Sequence, residues 1–368
     1  MKIIIAPDSF KGTLTAAEAC EIIARAFASV HPGAENHAIP LADGGEGMVR
    51  AWQSACGGEL RCAEVSGPYG EPVNAEYLLL PDGTAVLEMA SCAGLELARP
   101  RGLDPEKTTT KGLGELMKAA RATGAARILL GLGGSATNDA GCGMAHALGW
   151  KFYDQEGASF CPVGGTLSNI AQIEPPKEPF ALPVTAACDV QVPLFGPEGA
   201  AYIYAPQKGA DVVMVQRLDG GLRHIAALCA PELADVPGAG AAGGLGFGVL
   251  AFLDGELRPG VDMLLDCAGF DALLEGANLV VTGEGRMDAQ TLHGKAPCGV
   301  LRRAKARGVP VLGICGCVGQ GRDDLLAAGF AGIFPAVEGS RSIEELRRTC
   351  REDLYDAAHR AALAAKLS

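Results

Sequence analysis

The stretch Thr282-Gly283-Glu284-Gly285-Arg286-Met287-Asp288, continuing to Thr291 and Lys295, carries four charged groups flanked by glycine. An acid at the end of an apolar run, then an Arg, an Asp and a Lys at the mouth of a helix, is hard to explain as packing. It reads as a place where charge is handled. Asp8-Ser9-Phe10-Lys11-Gly12 closes another apolar run and offers an acid and a cation together. Asp43-Gly44-Gly45-Glu46 puts two carboxylates on glycine-permitted backbone, a donor set suited to Mg²⁺ beside phosphate oxygens. Asp189, after Cys188, closes an apolar run from Leu182. Lys208, in Pro206-Gln207-Lys208-Gly209, closes a second one over 200–204. Such an acid and lysine suit phosphoryl transfer as base or metal ligand and as charge clamp.

Glycine-rich loops supply the other half of that chemistry. Gly131-Leu132-Gly133-Gly134-Ser135-Ala136-Thr137-Asn138-Asp139 follows an apolar run and leads to a short helix over 141–148. A turn of this kind presents unpaired N–H groups and the positive end of a helix dipole, which suit phosphate. Gly131, Gly133 and Ala136 also fit a variant of the dinucleotide fingerprint, although Asn138-Asp139 would crowd a pyrophosphate. Gly238, Gly240 and Gly243 spell the literal fingerprint, but only Pro237 precedes them and no strand does. That segment reads as a loop folding over a ligand or as a tight packing turn. His293 sits among apolar helix positions and reads as structural. No Walker loop, nucleophile elbow or zinc-protease motif is present. The inventory is that of a phosphotransferase outside the P-loop class.

These loops need a scaffold that brings strand ends together. Short apolar runs at 2–6, 127–132, 278–282, 309–315 and 332–337 each stop at Gly, Asp or Glu. Runs of this length suit strands buried on both faces of a parallel sheet. Helical patterns fall at 15–30, 105–122, 292–307 and 342–366, and Thr15 with Glu18 fits a capping box. Together they indicate a doubly wound α/β domain, which places ligands beyond the carboxyl ends of its strands. Residues 58–102 alternate and turn at Pro81-Asp82-Gly83, as hairpins do. Residues 150–267 mix prolines, glycines and one clear helix at 211–228. Two domains are expected: 1–57 with 103–147 and 268–368, and an inserted second α/β domain of 58–102 with 148–267.

Composition bounds the partners. The 368 residues carry a formal net charge of −12, which disfavours nucleic acid and anionic membrane surfaces. Glycine, at 51 residues, is in marked excess, and it gathers beside the acids and bases named above. With 48% apolar and 20% charged residues, the chain is neither disordered nor collagen-like. Thirteen cysteines, an odd number without a visible disulfide framework, point to a reducing cytoplasm. The longest uncharged stretch holds a proline and several glycines, so no spanning helix is expected.

Taken in order, Ala6–Gly12, Pro40–Gly47, Gly131–Asp139, Pro206–Ala210, Pro237–Gly248 and Val281–Lys295 resemble the type I glycerate kinase family over nearly the whole chain. Two positions depart from its usual pattern: Val192 stands where an Asn is usual, and Lys111 where an aromatic is usual. The resemblance implies ATP-dependent phosphorylation of D-glycerate with Mg²⁺. It also implies a flavodoxin-like domain plus one of restriction-endonuclease-like topology. The favoured product is 2-phosphoglycerate, with 3-phosphoglycerate open, and the two substrates would meet in an interdomain cleft. In that scheme Ser9, Lys11 and Arg286 bind the substrate, with the two cations on its carboxylate. Gly133, Gly134, Ser135, Thr137, Asn138 and Lys208 bind the nucleotide. Lys208 or Lys295 clamps the transferred group, and Asp189 or Asp8 accepts the hydroxyl proton. Asp43, Glu46, Glu284 and Asp288 hold the metal, and 238–248 serves as a hinge or lid. A homo-oligomer is compatible with this scheme. An NAD-dependent dehydrogenase of a small hydroxy acid, and a non-catalytic metabolite-binding protein on the same fold, are the alternatives.

Overall fold

The computed structural model describes residues 1–41, 47–292, 295–339 and 341–365. The chain divides into two compact units, a first of residues 1–43, 50–56 and 261–368 and a second of 44–49 and 57–260. The first unit opens with β1 (Lys2–Pro7), the helix Ala16–Val30 and β2 (Glu35–Ala38). Thr15 caps that helix as expected: its hydroxyl accepts from Glu18 N, and the Glu18 carboxylate accepts from Thr15 N.

The chain then builds the second unit. Its strands are β3 (Glu59–Ser66), β4 (Pro72–Leu79), β5 (Thr84–Glu88), β6 (Arg127–Gly131), β7 (Lys151–Tyr153), β8 (Ser159–Phe160), β9 (Gln172–Glu174), β10 (Val184–Ala187) and β11 (Glu256–Arg258). Six of them form one sheet in the order β11-β10-β6-β5-β4-β3. Strands β3, β4 and β5 pair antiparallel, and β5, β6, β10 and β11 pair parallel. Strands β8, β7 and β9 form a small antiparallel sheet.

On its return the chain completes the first unit with β12 (Leu279–Met287), β13 (Val311–Val318), β14 (Gly332–Pro335) and the helix Ile343–Ala364. The first sheet is all parallel, in the order β14-β13-β12-β1-β2. Counted within the unit this is 2-1-3-4-5, the flavodoxin-like order, whose switch point falls between β1 and β12. Ile3, Ile4 and Ile5 are all 0% exposed, so both faces of β1 are covered. Helices Ala16–Val30 and Ile343–Ala364 share one of those cores through Phe27, Leu354 and Ala358.

Two expectations are corrected. The run at 127–132 is a strand, but it pairs with β5 and β10 in the second sheet, so residues 103–147 go with the second unit. Its place in the first sheet is taken by β2, whose Glu-Asn-His-Ala sequence has no apolar run because it is a half-exposed edge strand. The apolar run at 200–204, given no element in advance, is a short helix. Among the cysteines, Cys56 and Cys267 are paired as a disulfide within the first unit, and the other eleven are free. A separation of 211 residues hid that pair from sequence reading.

Candidate active site

In the first unit, the chemistry gathers at the switch point. Asp8 follows β1 directly, is 9% exposed, and its N–H donates to Gly283 O at 2.8 Å. Gly283 is obligatory there, since a Cβ would lie 1.7 Å from Ile314 O on β13. The Asp8 carboxylate accepts from Ser9 N at 2.6 Å. Ser9 and Lys11 stand exposed on the turn that follows. Lys11 makes no hydrogen bond or ion pair with the described residues, which leaves it available for an anionic ligand.

Glu284, near the end of β12, is held on both oxygens. Thr291 Oγ1 donates to Oε1 at 2.7 Å, and Lys295 Nζ donates to Oε2 at 2.9 Å. Burial pushes its carboxyl above the usual range, and these two bonds oppose the rise. Arg286 is exposed and bonds Asp288 through Nε at 3.1 Å. Asp8, Ser9, Lys11, Glu284, Arg286 and Lys295 all line one cavity of about 1020 Å³, whose walls come wholly from the first unit.

Among the described residues no three or more His, Cys, Asp or Glu side chains stand together as a cation site. Glu284 is committed to Thr291 and Lys295, and Asp288 to Arg286 and Gln290 N. Asp43, Glu46 and His293 lie outside the described residues.

In the second unit, β6 runs into the Gly133–Gly134 turn, and Gly134 adopts a φ of 73° that favours glycine. Gly133 is half-buried and Gly134 exposed, whereas Ser135 to Asp139 are buried. Lys208, 1% exposed, donates from Nζ to Ser135 Oγ at 2.7 Å and to Thr137 O at 2.6 Å. Desolvation lowers its ammonium to about 7, with the charge of Asp139 opposing the fall. Placed this way, Lys208 holds the loop from beneath instead of reaching outward as a free clamp.

Asp139 lies fully buried and accepts from Thr110 N, Thr110 Oγ1, Gly141 N and Gly143 N. This corrects the expected use of the helix N-terminus. The helix begins only at Cys142, and Asp139 has already taken N–H groups there, so Gly133–Ser135 alone can offer phosphate a turn. Beside it, Thr137 Oγ1 and both amide atoms of Asn138 are buried with no hydrogen-bond partner among the described residues. Unsatisfied polar groups at zero exposure mark a place for a water or ligand atom. Asp189 follows β10, and its Oδ1 accepts from Gly260 N at 3.2 Å.

The glycine-rich 238–248 segment is not a lid. It is buried throughout and feeds the helix Ala241–Leu253, with Ala242, Gly243 and Gly244 at φ 54°, 68° and 89°. A Cβ on Gly243 would lie 2.0 Å from Thr137 O, so these glycines let one backbone press on another. The tight packing turn is the reading that holds. Val192, the unusual residue of that region, uses its carbonyl to accept from Gly240 N at 2.9 Å, a contact indifferent to side chain. Lys111 pairs with Glu115 on its own helix at 3.3 Å.

Sequence reasoning missed Thr110 and gave Thr291 no role, although they bond Asp139 and Glu284. Thr291 stands in the charged stretch itself, 7 residues after Glu284, whereas Thr110 is 29 residues from Asp139 and left no local signal.

Comparison with known proteins bears on the family and the fold. The model of the glycerate kinase family matches residues 3–366. A glycerate kinase of Bacillus subtilis (strain 168) is 43% identical, with 100% of this chain and 98% of the relative covered. A glycerate 2-kinase of Escherichia coli (strain K12) is 41% identical over 96% and 95%. The crystal structure described as glycerate kinase 2 from Salmonella typhimurium LT2 superposes with a TM-score of 0.87 at 41% identity, covering 99% of this chain and 98% of that one. The chain belongs to the glycerate kinase family.

Proposed function

We propose that the protein transfers the γ-phosphoryl group of ATP to D-glycerate, giving 2-phosphoglycerate and ADP. The observation that carries this reading is the match to glycerate kinases from end to end of the chain, joined to an unpaired Lys11 at the switch point. The alternative 3-phosphoglycerate is less favoured, since the Escherichia coli relative is named a glycerate 2-kinase. A cytoplasmic setting goes with this reading, and no helix of the described residues is long and apolar enough to cross a membrane. The second unit would correspond to a restriction-endonuclease-like topology, for which the mixed six-stranded sheet is the support.

In this scheme Lys11 and Arg286 bind the glycerate carboxylate, and Ser9 orients a hydroxyl. The Gly133–Ser135 turn, braced by Lys208, receives phosphate oxygens on backbone N–H groups. Thr137 and Asn138 supply the unsatisfied donors and acceptors beside it. Lys295, now paired with Glu284, is the cation that can turn to developing charge on the transferred group. Asp8 or Asp189 accepts the proton of the attacking hydroxyl. Magnesium would accompany ATP and offset phosphate charge. Asp43, Glu46, Glu284 and Asp288 are its proposed acids, Glu284 being released when Lys295 turns to the transferred group.

Lys11→Ala is expected to raise KM for glycerate about tenfold or more while changing KM for ATP little, the mark of a lost substrate-binding cation. Removing the base is expected to lower kcat about 10²-fold or more in either Asp8→Asn or Asp189→Asn. Steady-state kinetics on the three variants check both statements. Full activity in both Asn variants would sink the base assignment.

A further inference from the structure

Strand β12 delivers Glu284 to the cavity, and Lys295 reaches it from the position just before helix Ala296–Ala306. Backbone alone does not aim either side chain. The pairing of Glu284 with Cys315 on β13 fixes its main chain and leaves its carboxylate free to turn. The Lys295 side chain is 37% exposed, and among the described residues its ammonium bonds Glu284 alone. A long side chain held by one partner spreads over many rotamers once that partner moves.

Thr291 supplies the missing constraint. It lies in the short turn Ala289–Leu292, is 0% exposed and does not itself line the cavity. Its Oγ1 accepts from Asp288 N at 3.0 Å and sits 2.7 Å from Glu284 Oε1. A hydroxyl has a single proton and an amide N–H can only donate, so that proton points at the carboxylate. Thr291 therefore occupies Oε1, and Oε2 is the oxygen left to receive Lys295 Nζ. The turn has other closures of its own. Thr291 N bonds Asp288 O at 2.9 Å, and Gln290 N bonds Asp288 Oδ1 at 3.0 Å.

We infer that Thr291 is a positioning residue for Lys295. Through Glu284 it sets where the ammonium rests, and it keeps the carboxylate in place when Lys295 turns to the transferred phosphoryl group. The role rests on the proposed phosphorylation of glycerate and adds to it a residue that touches no substrate. A cation set in advance needs little reorganisation at the moment of transfer, so the loss of Thr291 falls on kcat. Arg286, one of the two cations proposed for the glycerate carboxylate, is held instead by Asp288 Oδ2.

Steady-state kinetics of the full chain read the role. Thr291→Val keeps the shape and removes the hydroxyl; kcat is expected to fall about tenfold, with KM for glycerate changed less than about twofold. Thr291→Ser restores the donor and should recover kcat to within about threefold of wild type. In a Lys295→Ala background, Thr291→Val should lower kcat by less than about a further twofold, because residues acting as a unit are not additive. Trace acetylation with acetic anhydride, read by mass spectrometry without substrates, follows the lysine itself. Release from its half-exposed ion pair should speed labelling of Lys295 about threefold in Thr291→Val. The exposed Lys118 of the second unit is the reference and should not change. Where Thr291→Val does not fold, Thr291→Cys, a weak donor, takes its place in each comparison.

Four results would each overturn the role: wild-type kcat without the hydroxyl, no recovery with serine, an undiminished loss in the Lys295→Ala background, or unchanged labelling of Lys295. ATP-dependent turnover by the wild type in those cases leaves the kinase reading standing. Folded wild type that turns over no glycerate with ATP would remove the reading and the role together.

Discussion

Asp139→Ala is expected to destabilise the second unit by about 3–5 kcal/mol, the range found when one member of a buried charged network is removed. The carboxylate accepts from Thr110 N and Oγ1 on one side and from Gly141 N and Gly143 N on the other. All four donors lie where water does not reach, so truncation leaves them unpaired instead of returning them to solvent. Thr110 Oγ1 also accepts from Met144 N at 2.9 Å, which couples the loss to a second backbone group. Thr110→Val, which removes only the hydroxyl, should cost about 1–3 kcal/mol. Urea unfolding with unchanged m reads both variants. An Asp139→Ala midpoint close to wild type would show that the network does not support the loop.

The second large effect belongs to Lys208 and is a matter of pH. Burial lowers its ammonium from 10.5 to about 7 in the folded chain. Below pH 7 both folded and unfolded chains hold the proton, and the cost of burying the charge is constant. Between pH 7 and 10.5 the unfolded lysine is protonated and the folded one is neutral. Unfolding therefore takes up a proton, and stability rises with pH through this window. Cys20, Cys92 and Cys315, whose thiols burial pushes up to about 12, and Cys161, Cys188 and Cys229, pushed up to about 11, act in the opposite sense as their unfolded thiols ionise approaching pH 9. Over pH 7 to 9 it is the difference between the wild type and a lysine variant that isolates the lysine, because the thiols contribute equally to both.

Lys208→Met should make the change in unfolding free energy between pH 7 and 9 less positive than the wild type's by about 2 kcal/mol, where one pKa unit is worth about 1.4 kcal/mol. Denaturant titrations of both proteins at the two pH values measure it. Because Nζ bonds Ser135 and Thr137, the same variant should also raise KM for ATP about tenfold or more through a loosened turn. An unchanged pH dependence together with an unchanged KM would show that Lys208 neither titrates in this range nor braces the turn.

Which parts of the molecule could be read in advance follows from how local their causes are. Helix starts depend on neighbouring residues, and Thr15 with Glu18 and Asp211 with Met214 N are capped as their sequences imply. Strand ends depend on an apolar run meeting a glycine or acid, and Asp8 and Asp189 fall beyond such ends, whereas β12 runs on past Glu284 to Met287. Sheet membership does not depend on local sequence. A doubly buried parallel strand such as β6 has the same composition in either sheet, and only its partners β5 and β10 decide. The edge strand β2 is half-exposed and needs no apolar run, so it left no pattern to see.

The site shows the same division. Lys208 stands in Pro-Gln-Lys-Gly, which by itself describes an exposed turn; its burial comes from packing around Ser135, 73 residues away. The glycines at 238–244 allow either a moving loop or a close approach of backbones. The contact between Gly243 and Thr137 O decides for the approach, because a Cβ would not fit there. The early excess of glycine therefore has two causes, turns beside charged groups and backbone crossings in the core.

Phosphorylation of glycerate by ATP can be checked in a single assay of the purified full-length protein with ATP, Mg²⁺ and D-glycerate, following ADP release and the phosphorus NMR spectrum of the product. One ADP released per glycerate consumed, with the phosphoryl group on the C2 hydroxyl, is the expected result. Folded protein that releases no ADP with D-glycerate, or that instead reduces NAD with it, would contradict the proposed activity.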